Sequence, residues 1–149
     1  MNFARERLLV IAPHADDEIL GCFGLMNKIK ENGGQVYVLV FTLGGYSKVG
    51  SGRLQKEQWK KEFLNVVKLL GVDGYDIAYY KDQIEHLDKI KLEFLINKIE
   101  SKSKVAISKI KPTIVAMPTI FSTHQDHAEV YKATTIALDR KSTRLNSSH

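Results

Sequence analysis

A polar run, Pro13-His14-Ala15-Asp16-Asp17-Glu18, cuts into an apolar stretch and is followed at once by a helical pattern. Upstream, Leu8-Leu9-Val10-Ile11-Ala12 is unbroken apolar sequence of strand length, as expected of a strand covered on both faces. Downstream, Ile19, Leu20, Phe23, Met26 and Ile29 recur at a helical period, and Gly33-Gly34 provides the stop. One imidazole and three carboxylates therefore stand where a buried strand turns into a helix, at the carboxyl end of that strand. In open α/β sheets this edge is where ligands bind. Packing four ionisable side chains there is costly without a counter-ion or water. The sequence therefore predicts a metal site.

The rest of the chain alternates strand and helix signals. Residues 35–43 are rich in β-branched and aromatic side chains and predict a second strand. A glycine-rich loop from Gly44 to Gly52 follows; it lacks the Gly-Lys-Ser/Thr ending of a nucleotide loop and is expected to form a rim beside the site. A helix is predicted from about Arg53 to Leu70, with Trp59, Phe63, Val66, Val67 and Leu70 on its inner face and Gly71 ending it. Ile77-Ala78-Tyr79-Tyr80 predicts a third strand, and Lys81-Asp82-Gln83 a turn out of it. A helical region from Leu87 to Ile110 is expected to break near Ser101-Lys102-Ser103 and to stop at Pro112. Thr113-Ile114-Val115-Ala116-Met117 predicts a fourth strand, and a last helix is expected from about Asp126 to Leu138.

This alternation predicts an α/β fold: a Rossmann-like parallel sheet with right-handed crossovers, helices on both faces and strand order 3-2-1-4. Strand 4 returning beside strand 1 creates a switch point between their ends. The two loops that meet there hold His14-Ala15-Asp16-Asp17 and His124-Gln125-Asp126-His127. Topology alone thus brings two distant polar clusters together. His14 and Asp17 stand at i, i+3, as do His124 and His127, giving more candidate ligands than the three protein ligands of a hydrolytic zinc site. Some of them must do other work.

Composition narrows the classes further. The chain, 149 residues long, suits one domain, and no apolar segment approaches the ~20 residues needed to span a bilayer. The N-terminal run is too short for a signal peptide, and a single cysteine, Cys22, fits a reducing compartment, so a cytoplasmic protein is expected. Cys22 is expected to be a small buried residue of the first helix. The net charge of +5 comes from lysines spread along helices rather than gathered in a stripe, which argues against a nucleic-acid partner. From about Asp139 the helical pattern dissolves. Residues 139–149 are therefore expected to be a polar, non-native tail resembling a cloning remnant, beyond a single domain over residues 1–138. Strand 4 would then be an edge. His86 and His149, with no partner at metal-ligand spacing, are read as solvated, as are Glu57 and Glu62.

Pro-His-x-Asp-Asp-Glu after the first strand, with His-x-Asp-His after a later strand ending in Pro, resembles the LmbE/PIG-L family of zinc-dependent de-N-acetylases. The resemblance runs from the first strand through the last helix. It implies hydrolysis of the acetamide of N-acetylglucosamine joined to another group such as phosphatidylinositol, inositol, malate or an antibiotic precursor. Position by position, it implies that His14, Asp17 and His127 are the metal ligands. It implies that Asp16 is the general base, that a protonated His124 supports the oxyanion, and that Asp126 holds a histidine by hydrogen bonding. The implied cofactor is zinc, with iron(II) an open alternative for two imidazoles and a carboxylate. The implied partner is a small amino-sugar conjugate, and a homo-oligomer stays open.

Two positions depart from the family pattern. Ala15 stands where Pro is common, and Trp59 stands where many relatives carry Arg three residues before a Glu, here Glu62. Trp59 beside Phe63 at helical spacing reads as packing before it reads as a sugar platform. Another metal hydrolase on a similar sheet, and an inactive metal-binding fragment, are the competing readings.

Overall fold

The computed structural model describes residues 2–43, 52–79 and 86–146, without the side chains of 52–55 and 142–146. Residues 44–51 of the glycine-rich loop, Tyr80, the Lys81-Asp82-Gln83 turn and His149 lie outside the described residues.

Four parallel strands form one sheet in the order β3-β2-β1-β4: β1 (Arg7–His14), β2 (Gln35–Thr42), β3 (Gly74–Ile77) and β4 (Ile114–Ala116). This is the α/β architecture, and the strand order, expected from the sequence. Leu8 to Pro13 are all buried, because β1 is central and both of its faces are covered. The period of two along the strands sorts their side chains between two cores. Leu9, Ile11, Leu39 and Phe41 point to one face, where they pack with Leu95, Ile99, Val130 and Ala133. Leu8, Val10, Val36, Val38 and Val40 point to the other, where they meet Met26, Ile29, Phe63 and Val67. The first face is covered by α3 (Leu92–Asn97) and α5 (Gln125–Asn146), the second by α1 (Asp17–Glu31) and α2 (Gly52–Leu69).

Local boundaries differ from expectation in four places. The third strand runs Gly74–Ile77 rather than from Ile77 onward, with Ala78 and Tyr79 in the turn after it, because its hydrogen bonding to β2 starts early: the Asp73 amide donates to the Val36 carbonyl at 2.8 Å. The Asp73 carboxylate accepts the Val36 amide at 2.7 Å, which clamps the strand start. In α1 the inner face is Glu18, Met26 and Ile29, while Leu20 is 82% and Phe23 50% exposed. Cys22 is half-buried rather than fully buried. The last helix continues past Leu138 to Asn146, since residues 139–146 contain no Pro or Gly to break it.

The break expected near Ser103 is present. A π-helical turn (Lys98–Lys102) ends in extended backbone at Ser103, and a short helix, α4 (Ile107–Ile110), follows. Lys111 caps α4 in the left-handed region (φ 50°) just before Pro112. Among the described residues β4 pairs only with β1, so it forms a sheet edge. No described helix is long and apolar enough to cross a membrane.

Candidate metal centre

The strand-to-helix junction after β1 is built by the backbone first. The Ala15 amide donates to the Thr42 carbonyl at 3.0 Å, a bond that the Pro common at this position could not make. Asp16 adopts φ 110°, a conformation that non-glycine residues rarely take and that costs of order 1–3 kcal/mol. Its carbonyl accepts the amides of Ile19 and Leu20, so Asp16 is the N-cap by backbone position. Its side chain makes no capping bond. The Asp16 amide instead donates to Glu18 Oε2 at 2.9 Å. The carboxylate of Asp16 lines the cavity above the junction.

The two sequence clusters converge as the topology requires. Asp17 Oδ2 lies 3.3 Å from His14 Nδ1 and 3.2 Å from His127 Nε2, and it accepts the His14 amide at 3.1 Å. Donor atoms of His14, Asp17 and His127 all lie within 4.8 Å of one another, close enough to share a metal ion. The rings of His14, His124 and His127 form a triangle with centroids 5.1–5.8 Å apart.

Asp126, 2% exposed, secures this arrangement. Its Oδ2 lies 2.8 Å from His14 Nε2 and its Oδ1 accepts the Leu87 amide at 2.8 Å. A carboxylate only accepts, so Asp126 fixes a hydrogen on Nε2 and leaves Nδ1, 3.3 Å from Asp17 Oδ2, as the nitrogen that would give its lone pair to a shared metal ion. The Asp126 amide in turn donates to His124 Nδ1 at 3.2 Å. The bond occupies Nδ1 and leaves Nε2 as the ring nitrogen available to a ligand.

Electrostatics follow the packing. Burial pushes the His14 pKa down, but hydrogen bonds to Asp17 and Asp126 outweigh it and the net shift is upward. For Asp17 burial pushes up, while the His14 hydrogen bond and the His127 charge prevail and hold it below the usual carboxylate range. Asp16 is raised by burial and by the adjacent Asp17 charge, in the direction that suits a proton acceptor near neutral pH. Glu18 is raised by burial.

A cavity of about 630 Å³ opens over the cluster, lined by His14, Asp16, His124 and Asp126 at its polar end and by Trp59, Phe63 and Val66 on the α2 side. Asp17 and His127 face a second cavity of about 350 Å³, shared with Cys22 and Met117. Trp59 is at once core packing and cavity wall. One expectation needs correction. His86, read as solvated, lines the larger cavity and, with Asp88 and Asp126, forms a second group of possible ligands among the described residues. It is brought there because the Leu87 amide anchors to Asp126 across 39 positions, an interaction that no residue spacing announces. Glu62 is exposed, as expected, and it also stands on the cavity wall.

The sequence profile of the PIG-L family, described as GlcNAc-PI de-N-acetylase, matches residues 9–138. The chain belongs to the PIG-L family. No curated protein sequence matches this PIG-L chain. Among solved structures it is similar to the A40926 pseudoaglycone deacetylase Dbv21, at 22% identity and TM-score 0.69, over 93% of this chain and 61% of that one. It is similar to N,N'-diacetylchitobiose deacetylase from Pyrococcus horikoshii, at 22% identity and TM-score 0.68, over 90% and 49%. It is also similar to the 4-carboxy-2-hydroxymuconate hydratase GalB from Pseudomonas putida KT2440, at 17% identity and TM-score 0.67, over 89% and 55%. These likenesses establish a shared fold. The chain spans about half to three-fifths of the length of these three structures.

Proposed function

We propose that this PIG-L chain is a metal-dependent hydrolase that removes the acetyl group from an N-acetylglucosamine conjugate. The observation that carries the reading is the approach of His14, Asp17 and His127 within 4.8 Å, beside an Asp16 whose side chain is released from capping. Two imidazole nitrogens and one carboxylate oxygen fit a zinc ion with one position left open, and the hydrogen bond from His14 to Asp126 is the support that such a ligand needs. When bound, zinc supplies Lewis acidity at the acetamide oxygen and lowers the pKa of water toward ~7.

The remaining steps belong to the chain. Asp16 accepts the proton of the water that attacks the acetamide carbon. The water oxygen bonds to that carbon while the C=O electron pair moves onto the carbonyl oxygen; as the pair returns, the carbon–nitrogen bond breaks and Asp16 gives its proton to the departing nitrogen. Acetate and a free amino sugar result. His124 donates its Nε2–H to the carbonyl oxygen as negative charge builds there. His14, Asp16 and His124 share the larger cavity, so the substrate enters from that side. The deacetylase names of two structural neighbours support the same reading.

Acetate release from N-acetylglucosamine conjugates, with bound metal measured in the same samples, tests the proposal. The expected result is turnover by the wild type. Asp16→Asn is expected to keep its metal and lose on the order of 10²–10⁴-fold in rate. Equal rates in the two proteins would remove Asp16 from the reaction. Phosphatase activity without acetate release would favour a different hydrolase on this sheet. The metal analysis also separates zinc from iron(II), which the same donor set accepts.

A further inference from the structure

The larger cavity has a charge pattern opposite to that of the chain. The protein carries 22 Lys and Arg against 17 Asp and Glu. Yet among the described residues no Lys or Arg lines this cavity, while Asp16, Glu18, Glu62 and Asp126 do. A metal ion at the His14 cluster offsets the carboxylates at the floor. Glu62 stands apart from that cluster, on α2.

The α2 side is organised by helical spacing. Trp59, Glu62, Phe63 and Val66 fall at i, i+3, i+4 and i+7, so one helix face turns a flat indole and a carboxylate together toward the cavity. Phe63 is buried beneath them, and Trp59 rests partly against the same core, so the indole is held in place before a ligand arrives. Gln58 Nε2 donates to Glu62 Oε1 at 3.0 Å, which fixes the carboxylate beside the ring. A pyranose offers an apolar C–H face and hydroxyl donors at its edge. An indole and a carboxylate side by side match both.

Resting on the hydrolase reading above, we infer that the α2 wall is a substrate subsite that selects an uncharged conjugate. Trp59 stacks on the sugar or on an aryl or alkyl aglycone, and Glu62 accepts a hydroxyl. A conjugate carrying phosphate or carboxylate meets no described cation on this wall and faces the Glu62 charge instead. Binding it would leave an anion unpaired next to an apolar surface, which is unfavourable.

Trp59 is the single tryptophan of the chain, so its fluorescence reports on this subsite without turnover. The zinc-loaded Asp16→Asn chain is titrated with phenyl N-acetyl-β-glucosaminide and with N-acetylglucosamine 1-phosphate. In parallel, acetate release from both is followed with the wild type, Trp59→Ala and Trp59→Phe. The expected result is a saturable fluorescence change with the phenyl glycoside at concentrations where the phosphate gives none. The wild type should favour the phenyl glycoside by about 10-fold or more in kcat/KM. Trp59→Ala should raise its KM on the order of 3–10-fold with a smaller change in kcat, and Trp59→Phe should recover most of the loss. Equal or better use of the phosphate, or fluorescence indifferent to the phenyl glycoside, would overturn the subsite. Absence of acetate release from both conjugates would instead overturn the hydrolase reading, and the fluorescence arm would then decide the subsite alone.

Discussion

The Asp126 carboxylate joins the site to the fold, with His14 Nε2 at 2.8 Å from one oxygen and the Leu87 amide at 2.8 Å from the other. One buried side chain thus sets the tautomer of a candidate ligand and anchors the turn at residues 86–89, far away in sequence. Its own amide orients His124.

Asp126→Asn offers one acceptor where two donors converge, so either Leu87 or His14 loses its partner. Zinc affinity is expected to fall about 10–100-fold, the usual effect of removing such support. Competition with a chromophoric chelator measures it, and unchanged affinity would mean that His14 holds its orientation unaided.

His124→Ala removes the Nε2–H donor while leaving the three candidate ligands untouched. The rate of acetate release is expected to drop roughly 10²–10³-fold, with metal content near that of the wild type. Loss of metal in this variant would mark His124 as a ligand rather than a donor.

Phe41 is fully buried in β2 and stacks on Tyr79 with ring centroids 6.2 Å apart. Phe41→Ala leaves a cavity at the centre of one sheet face and is expected to cost about 3–5 kcal/mol in urea unfolding. A loss below about 1 kcal/mol would show that this core collapses around the gap.

The Cys22 thiol is pushed up from its ordinary 9.0 by burial and then by the Glu18 charge. Thiolate is the reactive form, so a raised pKa means less of it at pH 8. Alkylation by iodoacetamide at that pH is expected to be slower than for a free thiol and to accelerate as pH climbs past the ordinary value. Parity with glutathione at pH 8 would contradict the shift.

The features legible in the sequence were those written in residue type and order. The apolar run Leu8–Ala12 announced a central strand, and strand–helix alternation placed the His14 and His124 loops at one switch point. What stayed hidden depended on partners that spacing does not encode. Periodicity placed Met26 and Ile29 correctly on the buried face of α1 but could not say that Leu20 and Phe23 turn away from the sheet. The approach of His86 rests on a backbone amide, and backbone amides are the same at every residue except proline. The hydrogen bond at His124 Nδ1 likewise comes from a backbone amide, that of Asp126. Helix propensity carried α5 past Leu138 where the hydrophobic pattern had already faded.

Metal stoichiometry across single ligand variants tests the central claim most directly. Purified wild type, His14→Ala, Asp17→Ala and His127→Ala are dialysed against trace zinc, checked for folding by circular dichroism and measured by mass spectrometry of the bound metal. The account predicts one zinc per wild-type chain and close to none in each folded variant. A folded His127→Ala that still binds one zinc would show that the two clusters do not share an ion.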